Sequence, residues 1–171
     1  MQDILIVVDM QNDFIDGALG TPEAVSIVPT VKDVILSHNG RVIFTKDTHS
    51  PDYLSTQEGK NLPVEHCIKD TKGWEICPAL TEYASEVIEK PTFGSIALAE
   101  KLKKENETSP IEKITLVGLC TDICVISNAL LLKATFPEIE ISVISKACAG
   151  VTPKSHENAL SAMKMCQIIV K

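Results

Sequence analysis

Four short apolar runs in this chain each end on a side chain that can do chemistry. The first run ends at Asp9, the second at Asp47-Thr48-His49, and the third at Lys90. The fourth runs into the string GLCTDICV (Gly118 to Val125), which carries Cys124 at the expected opening of a helix. In an open parallel sheet, ligands bind beyond the carboxyl ends of the strands, near the point where strand order reverses. A carboxylate, a metal-type pair, an ammonium and a thiol are therefore expected along one sheet edge. A thiol at a helix amino terminus meets unpaired N–H groups and the positive end of the dipole, which lower its pKa toward working pH. The same N–H groups can hold an oxyanion formed by its attack. An Asp beside the thiol accepts its proton, and a nearby Lys keeps that carboxylate ionised. The chemistry this predicts is attack by a cysteine nucleophile.

A second set lies between Asp47 and Pro78, in a stretch with no clear periodicity. Asp47, His49 and His66 can supply an open divalent site, with Glu58 as a possible fourth ligand. Zinc, iron and manganese all suit this donor mixture. The remaining thiols lack a comparable pattern. Cys120 and Cys124 are separated by three residues, not the two of a redox pair, and Cys67, Cys77, Cys148 and Cys166 do not close a structural zinc site. His38 is expected at a helix end and His156 as a partly buried helix residue.

The elements that must position these groups alternate. Strands are expected at Asp3–Asp9, Arg41–Lys46, Glu86–Lys90, Lys113–Gly118, Ile139–Ser145 and Cys166–Val170, several of them apolar on both sides of the pleat. Ile27, Val31, Val34 and His38 mark one helical stripe, and Ile96 to Lys104 a second helix capped by Ser95. Cys124 to Ala134 reads as a helix buried all round, and Thr152-Pro153 opens one that reaches Met163. Lys103–Pro110 reads as a surface connection. Alternation of this kind means an α/β fold, a parallel sheet with helices on both faces. The length of 171 residues suggests one domain, with the 47–78 stretch as a metal-binding excursion. Net charge is −7, so a nucleic-acid partner is not expected. No apolar run approaches a membrane span, and the first is not preceded by a basic region of the secretory type. Six cysteines without such a leader suggest a cytoplasmic protein with reduced thiols.

The strings DMQNDF (Asp9 to Phe14), DTH (Asp47 to His49), LPVEHC (Leu62 to Cys67), EKPTF (Glu89 to Phe93) and GLCTDICV resemble the isochorismatase-like cysteine hydrolases, and within them the nicotinamidase branch. The resemblance implies a three-layer α/β/α fold with a six-stranded parallel sheet of order 3-2-1-4-5-6. It carries over Asp9, Lys90 and Cys124 as the catalytic triad and the backbone N–H groups of Cys120 and Cys124 as the oxyanion hole. A cis peptide is implied between Leu119 and Cys120. It also carries over Asp47, His49 and His66, with Glu58, as ligands of one divalent metal ion, zinc first and iron or manganese next. Phe14, Leu19, Leu62 and Ile123 are implied to line the substrate pocket. Leu62 stands nearest the place where nicotinamidases often carry a ring-stacking Trp. The implied reaction cleaves nicotinamide to nicotinic acid and ammonia through a thioester, in a family that commonly forms homo-oligomers. Alternatives are a cysteine hydrolase of another small amide or N-carbamoyl compound, and a non-catalytic metal- or ligand-binding protein on the same fold.

Overall fold

Ile4, Ile6 and Val8 point to one face of the first strand and Leu5 and Val7 to the other, and all five are fully buried. A strand with two apolar faces has to be covered on both sides. Removing each such side chain from water stabilises the fold by about 1.5–3 kcal/mol. In the computed structural model, which describes residues 1–171, this strand (β1, Gln2–Val8) lies at the centre of one parallel sheet. The others are β2 (Arg41–Asp47), β3 (Val87–Lys90), β4 (Ile111–Leu119), β5 (Glu140–Ala149) and β6 (Ile169–Val170), in the order β3-β2-β1-β4-β5-β6. The helices are α1 (Asn12–Ile15), α2 (Pro22–Ser37), α3 (Gln57–Asn61), α4 (Ile96–Asn106), α5 (Ile126–Thr135) and α6 (Pro153–Met165). Residues of α4, α5 and α6 pack on the Ile4/Ile6/Val8 face, while α2 and Cys67, Ile76, Cys77 and Leu80 pack on the Leu5/Val7 face.

The caps expected at Ser95 and Thr152 form, and the structure adds one at Thr21. The Thr21 hydroxyl accepts the Ala24 N–H at 3.0 Å, Ser95 accepts that of Leu98 at 3.1 Å, and Thr152 accepts that of Ser155 at 3.0 Å, ahead of Pro153. His38 caps the carboxyl end of α2, its Nε2 3.3 Å from the Asp3 carbonyl.

Several boundaries differ from the sequence reading. Lys103 to Asn106 continue α4 rather than forming a surface connection, because charged residues keep good helix propensity and lysines suit the negative end of the dipole. The last strand shrinks to Ile169–Val170, since the Cys166 N–H still bonds to carbonyls of α6. β5 runs on to Ala149, past a register break opposite Leu116 and Gly118. Helix α5 is buried on one side only: Asn128, Ala129 and Leu132 are inside, and Leu130 is exposed. The stretch from Asp47 to Pro78 holds α3 and two 3-10 turns, Tyr53–Ser55 and Lys72–Trp74. Elements of three to five residues leave no periodic signature.

The sheet order reverses between β1 and β4, and there the two backbones come close. Gly118 has φ +115°, and a Cβ on it would lie 2.2 Å from the Val8 carbonyl oxygen. Gly118→Ala is therefore expected to cost about 2 kcal/mol or more, a fall in Tm of roughly 4–8 °C. Thermal unfolding reads this directly, and an unchanged Tm would contradict the close approach.

Candidate active site and metal centre

Asp9 leaves β1 in a left-handed turn (φ 47°) that aims its carboxylate across the crevice. Its Oδ1 accepts the Thr45 hydroxyl of β2 at 2.6 Å. Its Oδ2 lies 2.7 Å from Lys90 Nζ and has no other partner. Lys90, at the end of β3, is 1 % exposed and reaches three elements at once. Besides Asp9, its ammonium lies 3.0 Å from the Thr92 carbonyl, 3.4 Å from Asp47 Oδ1 and 3.4 Å from Cys124 Sγ. The structure thus gathers Asp9, Lys90 and Cys124, residues far apart in the chain, around one buried amine.

Cys124 lies in the first turn of a helical segment rather than at its first residue. After the cis bond between Leu119 and Cys120 the chain enters a π turn, Thr121–Val125, in which the Ile123 and Val125 N–H groups both bond to the Cys120 carbonyl. Helix α5 follows. Cys124 therefore lies inside the turn and is 4 % exposed. Its thiol pKa is pushed well up, first by burial and then by the Asp9 carboxylate, against the pull of Lys90. This corrects the expectation of a lowered pKa: a helix start favours the thiolate, but here burial beside an anion outweighs it. The resting sulfur is a thiol and has to be deprotonated by a base.

Asp9 is suited to that task. Burial raises its pKa above the ordinary carboxylate value, more than the Lys90 charge lowers it. Burial alone would lower the pKa of Lys90, but the Asp9 and Asp47 carboxylates outweigh it and hold the ammonium protonated. Asp47 is held below the usual carboxylate range. Burial pushes it up, but hydrogen bonds from His49 and His66 and the Lys90 charge prevail.

The other oxygen of Asp47 faces the second set. Asp47 Oδ2 lies 2.8 Å from His49 Nε2 and 3.6 Å from His66 Nε2, and Glu58 Oε1 lies 3.6 Å and 3.8 Å from the same two nitrogens. All four donor atoms lie within 4.8 Å of one another. Ligands held about 2.0–2.2 Å from one ion are separated from their neighbours by about 3.0–3.5 Å, so the spacing fits a single divalent cation. The histidine tautomer fits too. His66 Nδ1 lies 2.8 Å from the Val64 carbonyl, which can only accept, so Nδ1 carries the proton and Nε2 turns a lone pair toward two carboxylates. A cation or an extra proton is needed to reconcile them. Without a cation the proton is favoured: burial lowers the His66 pKa, but Asp47 and the Val64 carbonyl raise it further.

Three polar residues, Gln11 and Asn128 buried and Asp13 half-buried, hold this arrangement and escaped the sequence reading. The Gln11 side chain takes the Asp47 N–H at 2.8 Å and gives to the carbonyls of Asp47 and Trp74 at 2.8 and 2.9 Å. Asp13 accepts the Cys67 N–H at 2.8 Å, fixing the segment that carries His66. Asn128 gives to the carbonyls of Cys124 at 2.8 Å and Phe93 at 3.0 Å and accepts the Ser95 N–H at 2.8 Å, tying the Cys124 turn to the loop after Lys90. Gln11 and Asp13 belong to the DMQNDF string, which could have flagged them. Nothing in the sequence flags Asn128.

Above these groups opens a cavity of about 650 Å³. Cys124, Asp47, Glu58 and His66 line it, as do Phe14, Leu19, Leu62, Ile123 and Cys120. The Phe14 ring lies 5.5 Å from that of His66. His49 faces the metal set but is not in the cavity lining. His156 lies outside the site, its Nδ1 2.7 Å from the Thr121 hydroxyl.

The sequence model of the isochorismatase domain matches residues 3–171. The chain belongs to the isochorismatase family. Among family relatives, the nicotinamidase of Escherichia coli is 27% identical over 192 residues, covering 94% of this chain and 89% of that protein. The structure of a pyrazinamidase from Pyrococcus horikoshii in complex with zinc superposes with a TM-score of 0.85 at 29% identity, covering 100% and 99% of the two chains. The N-carbamoylsarcosine amidase from Thermoplasma acidophilum gives a TM-score of 0.78 at 28% identity, over 100% and 96%. No helix in this family member is long and apolar enough to cross a membrane.

Proposed function

We propose that this protein is a metal-containing cysteine amidohydrolase that cleaves nicotinamide to nicotinic acid and ammonia. The observation that carries the reading is the buried Lys90 ammonium, 2.7 Å from Asp9 and 3.4 Å from Cys124, a residue that lines a cavity together with the metal donors Asp47, Glu58 and His66. Asp9 takes the Cys124 proton, and the sulfur adds to the carboxamide carbon. The oxyanion rests on the N–H groups of Cys120 and Cys124, a contact whose loss typically costs about 3 kcal/mol of barrier. Asp9 returns the proton to the departing nitrogen, the C–N bond breaks, and ammonia leaves a thioester. Asp9 then takes a proton from water, the water oxygen adds, the C–S bond breaks, and the thiol regains its proton. Lys90 stays charged and steadies Asp9 throughout. Asp47, His49, His66 and Glu58 would hold the cation, which supplies a positive anchor for the ring nitrogen, directly or through water. Ammonia release from nicotinamide by reduced, zinc-loaded protein tests the reading, and none above background would overturn it.

The fold likeness to N-carbamoylsarcosine amidase favours a second reading, cleavage of an N-carbamoyl compound. Full activity on such a compound after metal removal would select it. All six thiols are unpaired, which supports a reducing compartment such as the cytosol.

Two further outcomes follow from the charges. Since burial raises the pKa of Asp9, kcat/KM is expected to fall on acidification at a pH above the ordinary carboxylate value of about 4. Asp9→Asn is expected to lower kcat/KM by about 10²–10⁴-fold and to abolish that acid limb. An unchanged pH profile in the variant would assign the limb to another group. Metal uptake competes with the His66 proton, whose pKa lies above its ordinary value of about 6.5. Zinc affinity is therefore expected to weaken as pH falls from 8 to 6. A competition titration reads this, and His66→Ala should bind zinc at least about tenfold more weakly.

A further inference from the structure

The cavity is larger than its floor requires. Cys124, Asp47 and His66 on the floor are 4 %, 2 % and 3 % exposed, with half-buried Glu58 beside them. A single pyridine ring with its carboxamide at Cys124 would reach the Phe14 and His66 rings that line the same cavity 5.5 Å apart. Yet the cavity continues outward to about 650 Å³, the size that suits a ligand of several rings rather than one. Its outer part is apolar: Leu62, Phe93 and Val151 line it while remaining 38 %, 44 % and 49 % exposed. The position of Leu62 is fixed, since its carbonyl accepts the hydroxyl of the buried Tyr53 at 2.9 Å. Apolar side chains left wet at the mouth of a concave site mark surface that a ligand covers.

We infer that the site takes aromatic carboxamides larger than one ring, with an apolar extension resting against Leu62, Phe93 and Val151. The inference rests on the amidohydrolase reading and names its substrate class. The bond broken and the steps are those given above; what changes is the body of the acyl group. Covering apolar side chains during turnover is worth about tenfold or more in kcat/KM for each well-packed group.

The test compares quinoline-3-carboxamide with nicotinamide as the ratio of their kcat/KM values in one preparation. Such a ratio does not depend on the fraction of folded enzyme. Zinc-loaded wild type is expected to give a ratio above about one-tenth. Leu62→Trp, which fills the outer cavity, and Phe93→Ser, which removes its apolar cover, should each lower the ratio at least about fivefold. A wild-type ratio below about one-tenth, or a ratio that neither variant moves, would overturn the inference. Cleavage of nicotinamide alone leaves the amidohydrolase reading standing and removes this one. Cleavage of neither amide removes both.

Discussion

Replacing Cys124 by alanine is expected to reduce ammonia release from nicotinamide to background, a loss of at least about 10⁴-fold in kcat. The size follows from the role of the sulfur. Without it no thioester forms, and direct attack by water has only binding and the oxyanion donors to assist it. The change removes one small side chain that is 4 % exposed and one contact with Lys90 at 3.4 Å. The fold should therefore survive, and the variant should still bind zinc and the amide. Initial rates of ammonia release, with circular dichroism and zinc content as controls, check this. A folded, zinc-loaded Cys124→Ala protein that kept even one-hundredth of wild-type turnover would contradict a cysteine nucleophile. A protein whose biological effect survived the change intact would instead fit a non-catalytic binding role.

The second large effect concerns Lys90. Its ammonium lies 2.7 Å from Asp9 and 3.4 Å from Asp47, and all three side chains are buried. Lys90→Met keeps much of the volume and leaves two carboxylates facing each other without a cation. Breaking a buried ion pair by removing one partner costs about 3–5 kcal/mol, which in a chain of this size lowers Tm by roughly 6–20 °C. The loss depends on pH with a definite sign. Burial already raises Asp9, and without Lys90 it rises further, so the folded variant binds a proton more readily than the unfolded chain. Its deficit is therefore largest in alkali and shrinks as pH falls and the unpaired carboxylate is neutralised. Thermal unfolding at pH 8 and pH 5.5 should show the gap to wild type narrowing, whereas an equal gap at both would mean the ion pair contributes little. Turnover by Lys90→Met should also fall, most steeply toward acid, since a further raised Asp9 pKa leaves less of the carboxylate free to take the Cys124 proton.

Asp9 and Lys90 were legible in the sequence because they stand at the ends of apolar runs. Ile4 to Val8 cannot be a surface strand, so Asp9 has to emerge at the carboxyl edge of the sheet, while Lys90 follows a short run, Val87–Ile88, that forms the outermost strand with Val87 exposed. Other features were hidden for physical reasons. The α3 turn that brings Glu58 and Leu62 to the cavity is five residues long, too short for a helical period to show. Gln11, Asp13 and Asn128 act through backbone atoms 36, 54 and 33 positions away, and no local pattern announces partners at that distance. The direction of the Cys124 pKa was misread for a related cause. A helix start can be read from the sequence, but the depth of the sulfur and its closeness to Asp9 exist only once β1 and β4 are side by side.

The central claim, that one sulfur carries the acyl group, has a direct measurement. Zinc-loaded enzyme turning over nicotinamide is quenched in acid, digested, and mapped by mass spectrometry across its six cysteines. The account predicts a nicotinoyl thioester on the peptide containing Cys124, absent from the other five and from the Asp9→Asn variant. A nicotinoyl group on a different cysteine would contradict it, as would undiminished turnover in an enzyme whose Cys124 had been fully alkylated beforehand.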